Sequence, residues 1–434
     1  MKILQNTSYL CGHFTTPRWR QLAEGLECSG WQTAPMDAVQ RVEAKNYYYG
    51  EFVDFVHHIA ADGKVHHKKD SGPDGILRYR LPVETTVAVG LPDGSVNVTV
   101  RDVQLCLAPF GIVLFAVAIE MHDVDYADMS RALLTMRDLC RYDRTTAGAF
   151  VVAALAPVYD AYRLTRTASP LPDDGVLNLH MLAENGNKLK LFQIVETDGV
   201  SVAASGPVAF DRALYNMGCL APLDFDTDGR GDDAYYSRVM DTGRVAVFDN
   251  WRALALFDSF TILSDRLPDF RRNIWTSDYF GLIYLYSLFR QAFLLRYDAL
   301  FRAYDCDIKR LESEILLFER RYRYERFSYN FLPLELGHAM ERALELPDGT
   351  DSLHNMVTQA SAVYDKDSDD RMNRALTLLT IITICSTIWD LFSLIDAAFT
   401  FPDTHTGFRI GICILVLILL TLYLIFFQTH RRKR

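Results

Sequence analysis

Between Asn373 and Asp390 the chain sets polar side chains into an apolar run, at a spacing that would let them line a watery path. Asn373, Thr377, Thr380, Thr383, Thr387 and Asp390 recur at steps of three or four residues. At ~100° per residue they share one arc of ~140°. A threonine in lipid can bond back to its own helix, which accounts for any one of them but not for the shared stripe. Asp390 is harder to place, because a carboxylate facing lipid costs on the order of 2.5–3.5 kcal/mol even on a lenient scale. The stripe is therefore expected to face a lumen or a bundle axis. Asp390 would then form a ring of carboxylates and Asp396 a second ring at the mouth, and such rings concentrate cations. One helix encloses nothing, so several copies of the chain are required.

Other groups have chemistry to weigh. Asp365, Asp367, Asp369 and Asp370 lie just before the stripe and could hold Mg²⁺ or another divalent cation, or could simply be the solvated start of a helix. "RRYRYERF" offers Arg320, Arg321, Tyr322, Arg323 and Tyr324, which with Trp275 could bind an anion or stack a base. The plainer reading of that run is a helix with a charged outer face. "DFDTDGRGDD" sets Asp224, Asp226, Asp228 and Gly229 in the order of a calcium loop, but Tyr235 stands where a bidentate Glu belongs. It reads as a solvated acidic loop. His57, His58, His66 and His67 flank plain turn chemistry and neighbouring lysines, which disfavours a metal tract. Phosphate-binding glycine loops, H-E-x-x-H and a serine nucleophile elbow are missing from the sequence, so an enzyme is not expected.

The elements that must position these groups follow from hydropathy. Residues 375–399 and 411–428 are each near the ~20 needed to cross a bilayer. The short connection 400–410 makes them a hairpin, and the basic tail 429–434 should stay in the cytoplasm. No apolar run near Met1 resembles a signal peptide. Both observations put both termini on the cytoplasmic side of the membrane.

Residues 1–265 read as a mixed α/β domain. "GILRYRLPVETTVAVG", "SVNVTVRDVQLCLAP" and "FGIVLFAVAIE" look like consecutive strands, with further strands at Lys188–Glu196 and Arg244–Phe248. "DYADMSRALLTMRDLCRYD" reads as an amphipathic helix, and "GAFVVAALAPV" as a buried strand or short helix. Residues 266–374 read as stalk and associated helices. From Tyr279 nearly fifty residues run without proline or an internal turn signal, and Phe293, Tyr297, Leu300, Tyr304, Ile308, Leu311, Ile315, Phe318 and Tyr322 fall at helical steps. A single long helix is expected there. A shorter helix at "NFLPLELGHAMERAL", a turn at "ELPDGTD" and a helix over Ser352–Arg374 should follow. The last of these has no break before the membrane segment and would enter it as one rod.

The 434 residues carry a net charge of -10, and nearly all the charged residues lie before Arg374. An acidic surface argues against nucleic acid as a direct partner. The eight cysteines include no C-x-x-C pair and read as reduced residues of a cytosolic or membrane protein.

This organisation resembles the CorA family of divalent cation channels, and "RMNRALTLLTIIT" is similar to that family's entrance to its first span, with Asn373 at the position of the usual asparagine. The resemblance implies an α/β cytosolic domain, long stalk helices and two C-terminal transmembrane helices per subunit, assembled as a homopentamer with the first span lining the pore. The family ends that span with Gly-Met-Asn, which holds hydrated magnesium; here the positions are Ala397, Ala398 and Phe399, with no side-chain oxygen. Asp390 and Asp396 would make a less discriminating filter. A subgroup found beside type III CRISPR systems also has an enlarged cytosolic region and a divergent pore. That likeness implies an antiviral membrane effector gated by a nucleotide second messenger of the S-adenosylmethionine–AMP kind. The alternatives are a magnesium channel regulated by its own ion and a non-conducting sensor or scaffold.

Overall fold

The computed structural model describes residues 2–58, 73–139, 148–165, 188–198, 205–221, 232–265, 268–303 and 307–398, apart from the side chains of 364, 365, 367, 368, 392 and 394–398. Two compact units divide the chain, Met1–His354 and Asn355–Arg434. The first takes in most of the segment that the sequence offers as a stalk.

Among the described residues that unit is built on a nine-stranded sheet. The strands are β1 (Lys2–Thr15), β2 (Gln32–Thr33), β3 (Leu77–Leu91), β4 (Gly94–Ala108), β5 (Ile112–Asp125), β6 (Lys190–Thr197), β7 (Arg244–Val245), β8 (Trp251–Ala255) and β9 (Ser259–Asp265). Their order is β2-β3-β4-β5-β1-β6-β9-β8-β7. Every pair is antiparallel except β6–β9. The three consecutive strands read from the sequence form the β3–β4–β5 meander. Its second turn depends on Gly111 (φ +67), where a Cβ would lie 2.2 Å from the Thr16 carbonyl oxygen. The central strand β1 escapes the sequence reading because it is buried along most of its length, with Asn6, Thr7 and Ser8 in its middle, so it shows no clean alternation. Of the strand expected at Arg244–Phe248 only Arg244 and Val245 pair.

The helices begin with α1 (Trp19–Cys28), α2 (Ala38–Lys45), α3 (Gly50–Val56), α4 (Tyr126–Arg137) and α5 (Ala156–Leu164). The segment "GAFVVAALAPV" is helical and leads into α5. Next come α6 (Pro207–Gly218) and α7 (Asp233–Gly243). Leu22, Leu26, Tyr126, Leu133, Phe150, Val158, Phe210 and Met240 bring α1, α4, α5, α6 and α7 into one core with Leu10, Val103, Leu105 and Val117 of the sheet. Across the sheet, a π-helical run at Trp275–Tyr284 continues as α8 (Leu285–Arg302). There Phe280 stacks on Tyr9 at 3.7 Å and Tyr284 packs on Phe192 at 5.3 Å.

The single long helix expected after Trp275 does not form. It ends at Arg302, and a second helix, α9, runs Ile308–Arg321 with the Asp307 carboxylate accepting from the Arg310 N–H as its N-cap. The two fold against each other as a hairpin, with Phe293 stacked on Phe318 at 3.8 Å. Aromatics at helical spacing are equally suited to face a partner helix or their own chain folded back, so periodicity did not distinguish the two. After α10 (Phe331–Ala343) comes α11 (Leu346–Ala398), 53 residues long. The turn expected over "ELPDGTD" closes earlier, with Glu345 at φ 56, and Pro347 lies in the first helical turn.

Candidate functional site

Within α11, Asp369–Leu391 is long and apolar enough to cross a membrane; none of its side chains is buried, and all but Ile381, Cys385 and Ile388 are exposed. The stripe residues Asn373, Thr377, Thr380, Thr383, Thr387 and Asp390 are all accessible. Each threonine hydroxyl donates to the carbonyl four residues back: Thr377 to Asn373 at 2.7 Å, Thr380 to Leu376 at 2.8 Å, Thr383 to Leu379 at 2.8 Å and Thr387 to Thr383 at 2.7 Å. The helix thus satisfies these hydroxyl donors by itself and still leaves oxygen lone pairs facing outward. Leu378, Ile382 and Trp389, each at least 60% exposed, gather on the opposite face. Leu376, Ile384 and Leu391 share the polar arc, so the stripe is mixed rather than purely hydrophilic. The side chain of Asp396, the outer loop, the second span and the basic tail lie outside the described residues.

Asp369 and Asp370 are exposed, while the side chains of Asp365 and Asp367 lie outside the described residues. Among the described residues no three His, Cys, Asp or Glu side chains come together as a metal site. The acidic run Asp224–Gly229 and His66 and His67 also fall outside.

The six ligand-binding candidates are divided between aromatic clusters and charged pairs. Trp275 is buried against Trp251, ring centroids 5.1 Å apart. Tyr322 is buried, 5.3 Å from the Phe55 ring and 5.6 Å from Phe110. Tyr324 packs on Phe52 at 5.5 Å, and its N–H donates to the Tyr286 hydroxyl at 2.7 Å, which itself donates to the Tyr322 carbonyl at 3.0 Å. These bonds pin the end of α9 to α8, while the ring contacts with Phe52 and Phe55 hold it against α3. Arg323 pairs with Glu319 at 2.7 Å, and Arg321 lies 3.8 Å from Asp74. Arg320 is exposed.

The sequence reading passed over a basic cluster at the C-terminal end of α3. Arg41 donates to the His57 carbonyl at 2.5 Å and pairs with Asp54 at 2.6 Å. Lys45 shares Asp54 at 2.9 Å. Arg78 donates to the Val56 carbonyl at 3.0 Å and to the Gly281 carbonyl of the π-helical run. Two guanidiniums thereby cap the orphan carbonyls of α3. His57 is buried, and its pKa is held well below 6.5 by burial first and then by the charges of Arg78 and Arg41. The arginines are 21 and 16 residues from His57, a separation at which no local spacing rule applies.

A second buried ionic group joins α6 to the β7–β8 edge. Asp211 accepts from Arg252 at 2.5 Å and from Arg244. Arg252 also lies 5.6 Å from the Phe210 ring.

No protein-family model, no curated protein and no solved structure matches the chain.

Proposed function

We infer that the chain is one subunit of a homo-oligomeric membrane channel for cations, with α11 lining the path and a small ligand on the cytosolic unit opening it. The observation that carries this reading is the exposed 23-residue apolar stretch Asp369–Leu391, whose threonines and Asp390 keep to one arc while Leu378, Ile382 and Trp389 take the other. The subunit count of five, the inner membrane, and gating by a nucleotide messenger rest on the CorA-like resemblance. A pore left permanently open would dissipate the cell's ion gradients, so a closed resting state with a ligand trigger suits a filter that lacks Gly-Met-Asn.

One observation favours a second reading, a non-conducting membrane sensor. Every stripe threonine already spends its proton on its own helix, as a lipid-facing threonine would.

Cysteine scanning of α11 in a cysteine-free background separates the two. A charged thiol reagent applied to membranes should modify cysteines at 380, 383 and 387 and spare those at 382 and 389. Equal protection on both faces contradicts a lumen.

A further inference from the structure

We propose that the end of α3 is a binding site for a small tetrahedral oxyanion, a sulfate, a phosphate or a phosphoryl group, held by Arg41, Arg78 and His57.

The first argument is charge. Arg41, Lys45 and Arg78 bring three cations to this corner; among the described residues Asp54 is the carboxylate that Arg41 and Lys45 share, and Asp74, which acts on His58, lies beside Arg321. Among the described residues Arg78 pairs with no carboxylate; its partners are the carbonyls of Val56 and Gly281. A little-exposed guanidinium with only neutral partners is electrostatically incomplete.

The second argument is independent of charge. Among the described residues, Arg41 Nε and both ring nitrogens of His57 are buried without a hydrogen-bond partner. Buried polar atoms are paired in the great majority of cases, and a cluster of orphans points to a missing water or ion. Two of these three nitrogens carry a proton to donate while His57 is neutral, and the third gains one when His57 is protonated. Guanidiniums suit this task because their fork matches paired oxygens. A water molecule would satisfy the ring nitrogens but leave the excess charge of Arg78 in place. An anion meets both needs.

Occupancy has a structural consequence. Arg78 bonds the end of α3 to the π-helical run that leads into α8, so an anion drawing on Arg78 acts on both elements. That this occupancy is the channel's trigger rests on the function proposed above, whereas binding itself does not.

The test is equilibrium dialysis of radiolabelled sulfate against the full-length protein in detergent, in low-salt chloride buffer. Sulfate keeps its charge from pH 6 to pH 8, so any change in affinity belongs to the protein. The expected result is saturable binding of one sulfate per chain, tightening as pH falls. Arg78→Lys and Arg41→Gln should each weaken it at least tenfold, and His57→Gln should flatten the pH dependence while His58→Gln does not. The wild-type protein should also gain thermal stability from sulfate, a readout that needs no variant. Absence of saturable binding, or binding unchanged in well-folded Arg78→Lys and Arg41→Gln, overturns the site. Parallel dialysis of phosphate and adenosine monophosphate identifies the source: tighter binding of the nucleotide extends the site to a nucleoside, and equal binding confines it to the oxyanion. Because binding is measured without flux, loss of this site and loss of the channel reading are distinguishable.

Discussion

Phe293 and Phe318 stack with ring centroids 3.8 Å apart and planes within 10° of parallel, joining α8 to α9 across the bend after Arg302. Tyr297 stacks on Phe293 at 4.2 Å, and its hydroxyl bonds Glu314 on the facing helix. This aromatic seam turns the hairpin back onto the unit and brings Tyr322 against Phe55 and Phe110.

Truncating the seam should therefore be costly. Phe318→Ala removes a ring that is 2% exposed and is expected to destabilise the unit by about 3–5 kcal/mol. Leu316, 52% exposed on the same helix, provides the control, and Leu316→Ala should stay within about 0.5 kcal/mol. Denaturant unfolding followed by tryptophan fluorescence measures both. Equal effects would show that the seam does not hold the hairpin.

Asp211 pairs with both Arg252 and Arg244 where α6 meets the sheet edge. Asp211→Ala strands the Arg252 charge, whose side chain is only 11% exposed, and is expected to cost about 3–5 kcal/mol. Asp128→Ala, which breaks an exposed i,i+3 pair with Arg131, should cost no more than about 1 kcal/mol. A double variant that also replaces Arg252 by Met should recover part of the loss, measurable as a rise in unfolding midpoint over Asp211→Ala alone.

How much of this could be read from the chain varies with the range of the interaction. The β3–β4–β5 meander was legible because its alternation and the "LPDG" turn are local, and so was the polar arc of α11, which needs only a helical period. β1 was not, since a strand buried along most of its length in the middle of a sheet has no polar side to mark its register. The α8–α9 hairpin was hidden because a helix that packs on another chain and one that packs on its own continuation carry the same apolar spacing. The Arg41–His57–Arg78 cluster depends on α2, α3 and β3 converging, and that is set by the fold.

Acid should weaken the first unit through His57. The native pKa lies well below 6.5, so in chloride buffer the unfolded chain takes up a proton that the folded chain refuses. Stability from this group is fully present above about pH 7.5 and is lost as pH falls through the unfolded value. His58 is shifted in the same direction, chiefly by burial, and adds to the slope. The drop in unfolding midpoint between pH 7.5 and pH 5.5 should be smaller in His57→Gln than in wild type. An identical drop would mean that His57 is not held neutral.

Cation flux into sealed proteoliposomes of the purified full-length protein bears most directly on the central claim. Mg²⁺ alone should give little flux, a nucleotide messenger on the cytosolic face should switch it on, and Asp390→Asn should reduce it or change the cation preference. Silence in every condition from an intact oligomer would contradict the channel. Steady Mg²⁺ flux that falls as cytosolic Mg²⁺ rises would contradict ligand gating and leave an ion-regulated magnesium channel in its place.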